Sequence, residues 1–149
     1  MASASIKNLE RLTAKLNKIA NMDLKERVTD ATTLVHGQAV NNANFKKGYQ
    51  TGQLRGSIHM KVKKTSDGYQ GIVYTNNDHA MFVEFGTGIR GNGSYKYKIN
   101  NVNLRYREDW TGMKAQPYMY PALKSQEKNV KTILKYGVHK ELEKVCKGG

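Results

Sequence analysis

The sequence predicts a single α+β domain, with helices at both ends of the chain and a small antiparallel sheet between them. Apolar residues recur every three or four positions before residue 45 and after residue 121, which is typical of amphipathic helices. Apolar and polar residues alternate between positions 57 and 75, which is typical of strands. A chain of 149 residues can build one hydrophobic core, so we expect residues 1–149 to form one domain.

Two helices are predicted in the N-terminal third. Asp23 followed by Glu26 resembles a capping box, which predicts a second helix from Leu24 towards Ala43. Small side chains on one face of that helix favour a close contact with another helix or with the sheet. A first helix precedes it, and its apolar stripe consists of Ile6, Leu9, Leu12, Leu16 and Ile19.

A β-hairpin is predicted next. Residues 57–64 alternate between apolar and polar side chains, and residues 69–75 are rich in aromatic and β-branched types. The Ser-Asp-Gly sequence between them is a turn signal. A short helix through Ala80 and Val83 follows, with a strand over residues 81–85 as the alternative. Gly86 suits the left-handed position that often ends a helix.

Residues 86–117 are predicted to form an extended loop or β-ribbon within the domain. The segment combines glycines with interleaved aromatic and basic residues, and residues 95–99 alternate weakly like a strand. Such a long glycine-rich connection inside a compact domain is usually functional or disordered until it binds a partner. We expect it to contact another subunit or a partner protein.

The last segment is predicted to be a helix with Pro121 in its first turn. Lysines at positions 124, 128, 131 and 135 lie mostly on its solvent side. Gly137 is expected to weaken the helix by about 1 kcal/mol relative to alanine. The predicted buried stripe consists of Leu123, Gln126, Val130, Ile133, Leu134, Val138, Leu142 and Val145.

The formal net charge is +13, which favours a polyanionic or acidic partner or a crowded assembly. The basic excess is spread evenly, at 4, 4 and 5 in residues 1–50, 51–100 and 101–149. This even spread argues less for sequence-specific DNA recognition than a clustered basic stripe would. No apolar run approaches the ~20 residues that span a bilayer, so we expect no membrane partner.

No residue pattern predicts a catalytic, cofactor or metal site, and we expect a non-enzymatic protein. The sequence from Gly86 to Gly91 matches G-x-G-x-x-G, but a dinucleotide site needs a helix directly after the glycines, which the pattern does not predict. The four histidines lack metal-ligand spacing and are interpreted as surface or core residues. Cys146 has no evident acid or base partner, and a single cysteine forms no internal disulfide.

Glu84 stands between two apolar residues, and its environment is left open. It is either half buried, pairing with a cation or accepting N–H groups from the following glycine turn, or it is a solvent-facing residue of an amphipathic helix.

The aromatic and basic residues of the long segment have two interpretations. Alternation such as Tyr-Lys-Tyr-Lys at 95–98 suits stacking on single-stranded nucleic acid through residues 95–107. It equally suits a protein interface, where aromatic residues and arginine are enriched. We favour the interface, whose expected members are Arg90, Tyr95, Tyr97, Arg105, Tyr106, Arg107 and Trp110.

Three sequence blocks occur in a specific order: TGQLRGSI from Thr51, AMFVEFGTG from Ala80 and QPYMYPAL from Gln116. Together they resemble the tailed-bacteriophage tail-component family, the gene-product-ten-like neck or tail-completion proteins, over roughly residues 5–145. The family patterns are TG-x-L-x-x-S-I, A-x-x-V-E-F-G-T and P-F-x-x-P-A-L, and Tyr118 stands where phenylalanine is usual. The matching positions, to which we assign scaffold roles, are Thr51, Gly52, Leu54, Glu84, Phe85, Gly86, Thr87, Pro117 and Pro121.

This resemblance implies a structural virion protein that is made in the host cytoplasm and sits at the head–tail junction. Similar proteins act there in rings, most often of six subunits, between head-completion or connector proteins and the tail terminator, tube or sheath. In such a ring the positive charge has two open partners, the passing genomic DNA through non-specific contact or an acidic protein ring. The alternative function is a small basic nucleic-acid-binding protein.

Overall fold

The computed structural model describes residues 9–17, 24–45 and 52–147. Helices and one antiparallel hairpin make up the described chain, which confirms the α+β class. In chain order, the elements are helix α1 (residues 9–17), α2 (Lys25–Asn42), α3 (Gln53–Gly56), strands β1 (Ile58–Thr65) and β2 (Gly68–Thr75), α4 (Ala80–Phe85), α5 (Gly88–Gly91) and α6 (Met119–Lys147).

Helix α2 is the centre of the fold, because it packs against both strands and against α6. Its buried face carries mainly small side chains, including Ala31 and Ala39, and this allows neighbouring backbones to approach closely. The closest approach is at Gly71 of β2, where a Cβ atom would collide with the Thr32 hydroxyl. The predicted close contact of α2 is therefore confirmed, and it involves both the sheet and a helix.

The hairpin forms as predicted, with its turn at the predicted position. Ile58 pairs with Thr75 and Thr65 pairs with Gly68, which leaves a two-residue turn between the strands. The His36 imidazole donates from Nε2 to the Ile58 carbonyl oxygen at 3.0 Å, and it ties α2 to the start of β1. His36 is thus a satisfied structural histidine, as the sequence analysis expects.

Residues 80–85 form helix α4, and the alternative strand over 81–85 is wrong. The Asn77 side-chain oxygen accepts the His79 N–H at 2.8 Å and stabilises the turn that leads into the helix. Gly86 has φ of 78° but ψ of 175°, so it takes a positive φ without the predicted left-handed helical geometry. The chain leaves α4 in an extended direction instead of completing a helical cap.

The predicted capping box is only partly observable. Asp23 lies outside the described residues, and so do Ile6 and Ile19 of the first predicted helix. Helix α2 begins at Lys25, with Leu24 at the N-cap and no side-chain cap hydrogen bond.

The predicted buried stripe of α6 is only partly buried. Seven of its eight members lie between buried and exposed, and Leu123 is 53% exposed. The positions of α6 that are buried are instead Ala122 and Gly137, and a Cβ atom at Gly137 would collide with the Arg27 side chain. Because Gly137 has no side chain, α6 leaves room there for the long Arg27 side chain of α2.

Small residues dominate the core in the described part of the chain. Of its ten buried hydrophobic residues five are alanine, and Tyr118 is the largest that is fully buried. None of the described helices is long and apolar enough to cross a membrane.

Gly37 of α2 offers a test of this arrangement, because a Cβ atom there would meet no other atom within 4 Å. We expect Gly37→Ala to raise the free energy of unfolding by about 0.8 kcal/mol, since alanine restricts the unfolded chain and favours the helix. Gly71→Ala, at the crowded contact with Thr32, should lower it. Urea unfolding followed by circular dichroism measures both, and equal effects would contradict the packing.

Candidate assembly interface

Glu84 fastens helix α4 to the first turn of α6. One carboxylate oxygen accepts the backbone N–H groups of Tyr118 and Met119 at 2.8 and 2.9 Å, and the other accepts that of Tyr120 at 3.2 Å. The first N–H groups of a helix have no partner within the helix, and a negative charge there is favourable. The side chain is only 6% exposed, so its negative charge is stabilised mainly by these donors.

This geometry decides between the two interpretations of Glu84. The solvent-facing glutamate is wrong, and the buried acceptor of backbone N–H groups is correct. The donors, however, belong to the start of α6 and not to the glycine turn that follows Glu84. The glycine turn has a different role: it forms the point at which the start of the long segment 86–117 crosses its end.

The ends of the long segment 86–117 cross each other at backbone contact. Thr87 and Met113 form an isolated antiparallel bridge, with N–H to oxygen distances of 2.8 and 2.9 Å in the two directions. A Cβ atom at Gly86 would lie 2.6 Å from the Ala115 nitrogen, and one at Gly112 would collide with the Thr87 carbonyl oxygen. The glycines of the G-x-G-x-x-G sequence therefore permit this crossing.

Inside the long segment the predicted weak strand at 95–99 is wrong, because these residues have no ladder partner. Their tyrosine rings form a continuous row against the body of the protein. Ring centroids lie 4.9 Å apart from Phe85 to Tyr95, 5.6 Å from Tyr95 to Tyr97 and 5.2 Å from Tyr97 to Tyr120. The alternation of the sequence thus serves ring packing on α4 and α6, not strand pairing.

The predicted interface residues fall into two groups. Tyr95 and Tyr106 are half buried, and the Tyr106 hydroxyl donates to the Phe85 carbonyl oxygen at 3.0 Å. Burial raises the pKa of Tyr106. Burial also raises the pKa of Tyr95, helped by the negative charge of Glu84. The members that the structure leaves exposed are Arg90, Tyr97, Arg105, Arg107 and Trp110.

The described family-motif positions lie at the starts or ends of helices and in the core, and their scaffold role stays a prediction. Gly52 takes a φ of 66° at the start of α3, and Leu54 is buried in that helix. Pro121 lies in the first turn of α6, as predicted, and Pro117 precedes the helix. Thr51 lies outside the described residues.

Tyr118 is fully buried beside Phe45, with ring centroids 6.0 Å apart at 87°. Its hydroxyl has no hydrogen-bond partner among the described residues. Burial and the negative charge of Glu84 raise the pKa of Tyr118 to about 12. The family that the sequence resembles usually has phenylalanine at this position. Phenylalanine has no hydroxyl group that would need a hydrogen-bond partner.

We expect Tyr118→Phe to keep or raise stability at neutral pH, because it removes a buried hydroxyl without a partner. In the wild type, the unfolded chain releases this proton from about pH 10 and the folded chain from about pH 12, so stability falls across that range. The free energy of unfolding of the variant should fall less steeply over the same pH range. Urea unfolding at several alkaline pH values measures the difference, and parallel curves would contradict the assignment.

A wide apolar groove of about 790 Å³ runs along α2, between the hairpin and α6. Its floor is the face of α2 that carries Val35, and α4 lies at one end. Consecutive residues 69–73 of β2 line one wall, which means that the wall is the edge of the strand and not one face of the sheet. The exposed Leu123 and the half-buried Leu134 of α6 line the other wall.

Several large apolar side chains are exposed in the described chain. Of these, only Tyr97 and Trp110 were predicted from the sequence to lie at an interface. The missed residues include the leucines of α1, predicted only to form an apolar stripe, and Leu123, predicted to be buried. Helical periodicity alone could not reveal this, because it shows which face is apolar and not whether a partner covers it. The exposed set is Leu9, Leu12, Leu16, Met81, Phe82, Ile89, Tyr97, Val102, Trp110, Leu123 and Tyr136.

Across the described residues, no group of three or more histidine, cysteine, aspartate or glutamate side chains could hold a metal ion. Cys146 is exposed near the end of α6. The fold and its exposed apolar surfaces define a small α+β protein suited to association with other proteins.

Comparison with known families agrees with that class. A profile described as "Bacteriophage HK97-gp10, putative tail-component" matches residues 3–86, more than half of the chain. The chain belongs to this family of bacteriophage tail components, which confirms the resemblance drawn from the three sequence blocks. No curated protein and no solved structure matched the chain.

Membership implies a structural role in the virion, in contact with other tail or neck proteins. The family is not known for enzymatic activity. The profile spans the first sequence block and ends at Gly86 in the second, so the glycine crossing, the tyrosine row and α6 lie beyond it.

Proposed function

We propose that this protein forms a ring, most simply a homohexamer, at the neck of a tailed phage. The ring joins the connector or head-completion layer to the tail terminator, tube or sheath, and it thereby completes the tail. The chain acts as one domain and is made in the host cytoplasm before assembly. Its mechanism is interface formation and not catalysis.

The observation that carries this proposal is that many buried apolar side chains are small, while many large apolar side chains are exposed. Half of the buried hydrophobic residues in the described chain are alanines, while eleven large hydrophobic side chains are exposed. Contiguous apolar surface, such as the stripe of Leu9, Leu12 and Leu16 on α1, marks sites of association with other proteins. Tail components act in contact with other proteins, which agrees with this surface.

The basic surface has a natural place in such a ring. The outward side chains of β1 include His59, Lys61 and Lys63, all exposed. The Lys61 ammonium lies 4.7 Å from the centre of the Tyr74 ring, which holds it against the sheet. This face suits non-specific contact with passing DNA or with an acidic neighbouring ring.

The alternative of a nucleic-acid-binding protein that uses residues 95–107 is less well supported. Stacking on bases needs open aromatic faces, whereas Tyr95 and Tyr106 are committed to contacts with α4. Arg107 is paired with Asp109 at 2.6 Å, which reduces its capacity to neutralise a phosphate. Nucleic-acid binding is therefore the alternative result that the following test can detect.

The test is the mass of the purified chain by light scattering at moderate salt, alone and with the phage's other neck and tail proteins. We expect a ring that is present alone or appears with those proteins. Binding of short DNA is measured in parallel at several salt concentrations. A chain that stays monomeric with every partner, and binds DNA with a steep salt dependence, would contradict the proposal.

A further inference from the structure

Helix α1 presents an apolar stripe that nothing in the structure covers. Leu9, Leu12 and Leu16 are 63%, 54% and 56% exposed, and the other six residues of the helix are exposed as well. At 100° per residue, the three leucines fall within an arc of about 60°. Their spacing is that of the anchor residues by which a helix binds a hydrophobic groove.

The same chain carries an apolar groove of about 790 Å³ on a different part of its surface. The floor of the groove is α2, and Met81 and Leu123, which are 65% and 53% exposed, line it near the ends of α4 and α6. A nine-residue helix is about 13 Å long. The α2 residues that line the groove run from Val28 to Ala39, a helical stretch of about 16 Å, which is long enough for such a helix.

We infer that α1 of one subunit binds in the groove of the next subunit, with Leu9, Leu12 and Leu16 facing α2 and α6. Donor and acceptor are different surfaces of one chain, so the contact is head-to-tail. Such a contact repeats around a closed ring when the rotation closes. This inference rests on the proposed ring and adds the surfaces that build it.

Cross-linking between chains tests the pairing directly. Cys146, the one cysteine in the sequence, is first replaced by serine. Chains with Leu12→Cys are then mixed with chains carrying Leu123→Cys and treated with a short thiol cross-linker. We expect a mixed cross-linked dimer. Ala14→Cys, on the opposite side of α1, and Ser125→Cys, which is exposed two residues further along α6, are the matched controls and should give little product.

The outcomes separate the inference from the proposed function. A cross-linked monomer of the double variant Leu12→Cys with Leu123→Cys at high dilution would show that α1 fills its own groove, and this would overturn the inference. Rings without a mixed cross-link, for example rings joined through the open edge of β2, would overturn it and leave the ring intact. A wild-type chain that forms no ring, either alone or with the other neck and tail proteins, would contradict the proposed function itself.

Charge variants give a second, independent readout. Leu12→Glu and Ala14→Glu each add one negative charge to α1 at exposed positions, so both should fold. We expect Leu12→Glu to weaken subunit association at least about tenfold, while Ala14→Glu changes it by less than about twofold. Leu123→Glu and Ser125→Glu form the same contrast on the groove side. Equal effects within either pair would overturn the inference.

Discussion

Replacing Glu84 with alanine is expected to lower the free energy of unfolding by about 4 kcal/mol. The variant leaves the N–H groups of Tyr118, Met119 and Tyr120 without their acceptor at a largely buried helix end. Each buried donor without a partner costs about 1–3 kcal/mol, and the favourable charge at the helix start is lost as well. Such a loss is a large fraction of the about 5–15 kcal/mol by which small domains are stable.

Urea unfolding by circular dichroism measures this loss. Glu84→Gln keeps one acceptor oxygen and should be less destabilising than alanine. Glu127→Ala is the matched control, because it removes an exposed carboxylate of α6 that pairs only with Lys124 and Lys131. Those lysines lower the pKa of Glu127 to about 2, yet exposed pairs contribute little to stability. Similar losses in Glu84→Ala and Glu127→Ala would contradict the fastening role of Glu84.

Gly112→Ala should be nearly as disruptive, at about 4 kcal/mol, although it adds a single methyl group. Gly112 has a φ of 62°, which costs about 1–2 kcal/mol with any Cβ atom. The new atom would also collide with the Thr87 carbonyl oxygen and lie 2.7 Å from the Gly88 Cα atom. The crossing must open to relieve the overlap, and the paired hydrogen bonds between Thr87 and Met113 are then lost.

Gly93→Ala separates the two causes. Gly93 has a similar φ of 70°, but a Cβ atom there would meet nothing within 4 Å. We expect it to cost only the backbone strain of about 1–2 kcal/mol. Hydrogen exchange should show lost protection at the amides of Thr87 and Met113 in Gly112→Ala alone. Equal destabilisation by both variants would mean that the crossing is not tightly packed.

The local elements were predictable because their signals are local. The period of α2, the alternation of β1 and the Ser-Asp-Gly turn each lie within a few residues, and each is observed. The family was predictable from short blocks that combine turn glycines with prolines. Glu84 was also recognisable as unusual, because a charged side chain between the apolar residues Val83 and Phe85 is costly to bury unless it has partners.

The remaining features depend on contacts between distant parts of the chain. Glu84 takes its donors from residues more than 30 positions away, and no periodicity predicts that pairing. Tyr95 and Tyr97 alternate as in a strand, but their rings pack on Phe85 and Tyr120, and the backbone there forms no strand ladder. The partial exposure of α6 reflects the groove that Leu123, Val130 and Leu134 line, and no periodicity within α6 predicts that groove.

The crossing at Gly86 and Gly112 has an evolutionary consequence. It closes the base of the long segment with backbone hydrogen bonds, while residues 100–103 at the far end are exposed. Insertions at exposed loop tips rarely disturb a folded body. We therefore expect changes of length or sequence at this tip to leave the crossing, Glu84 and the first turn of α6 intact. Such changes could alter the partner that the tip contacts without altering the fold.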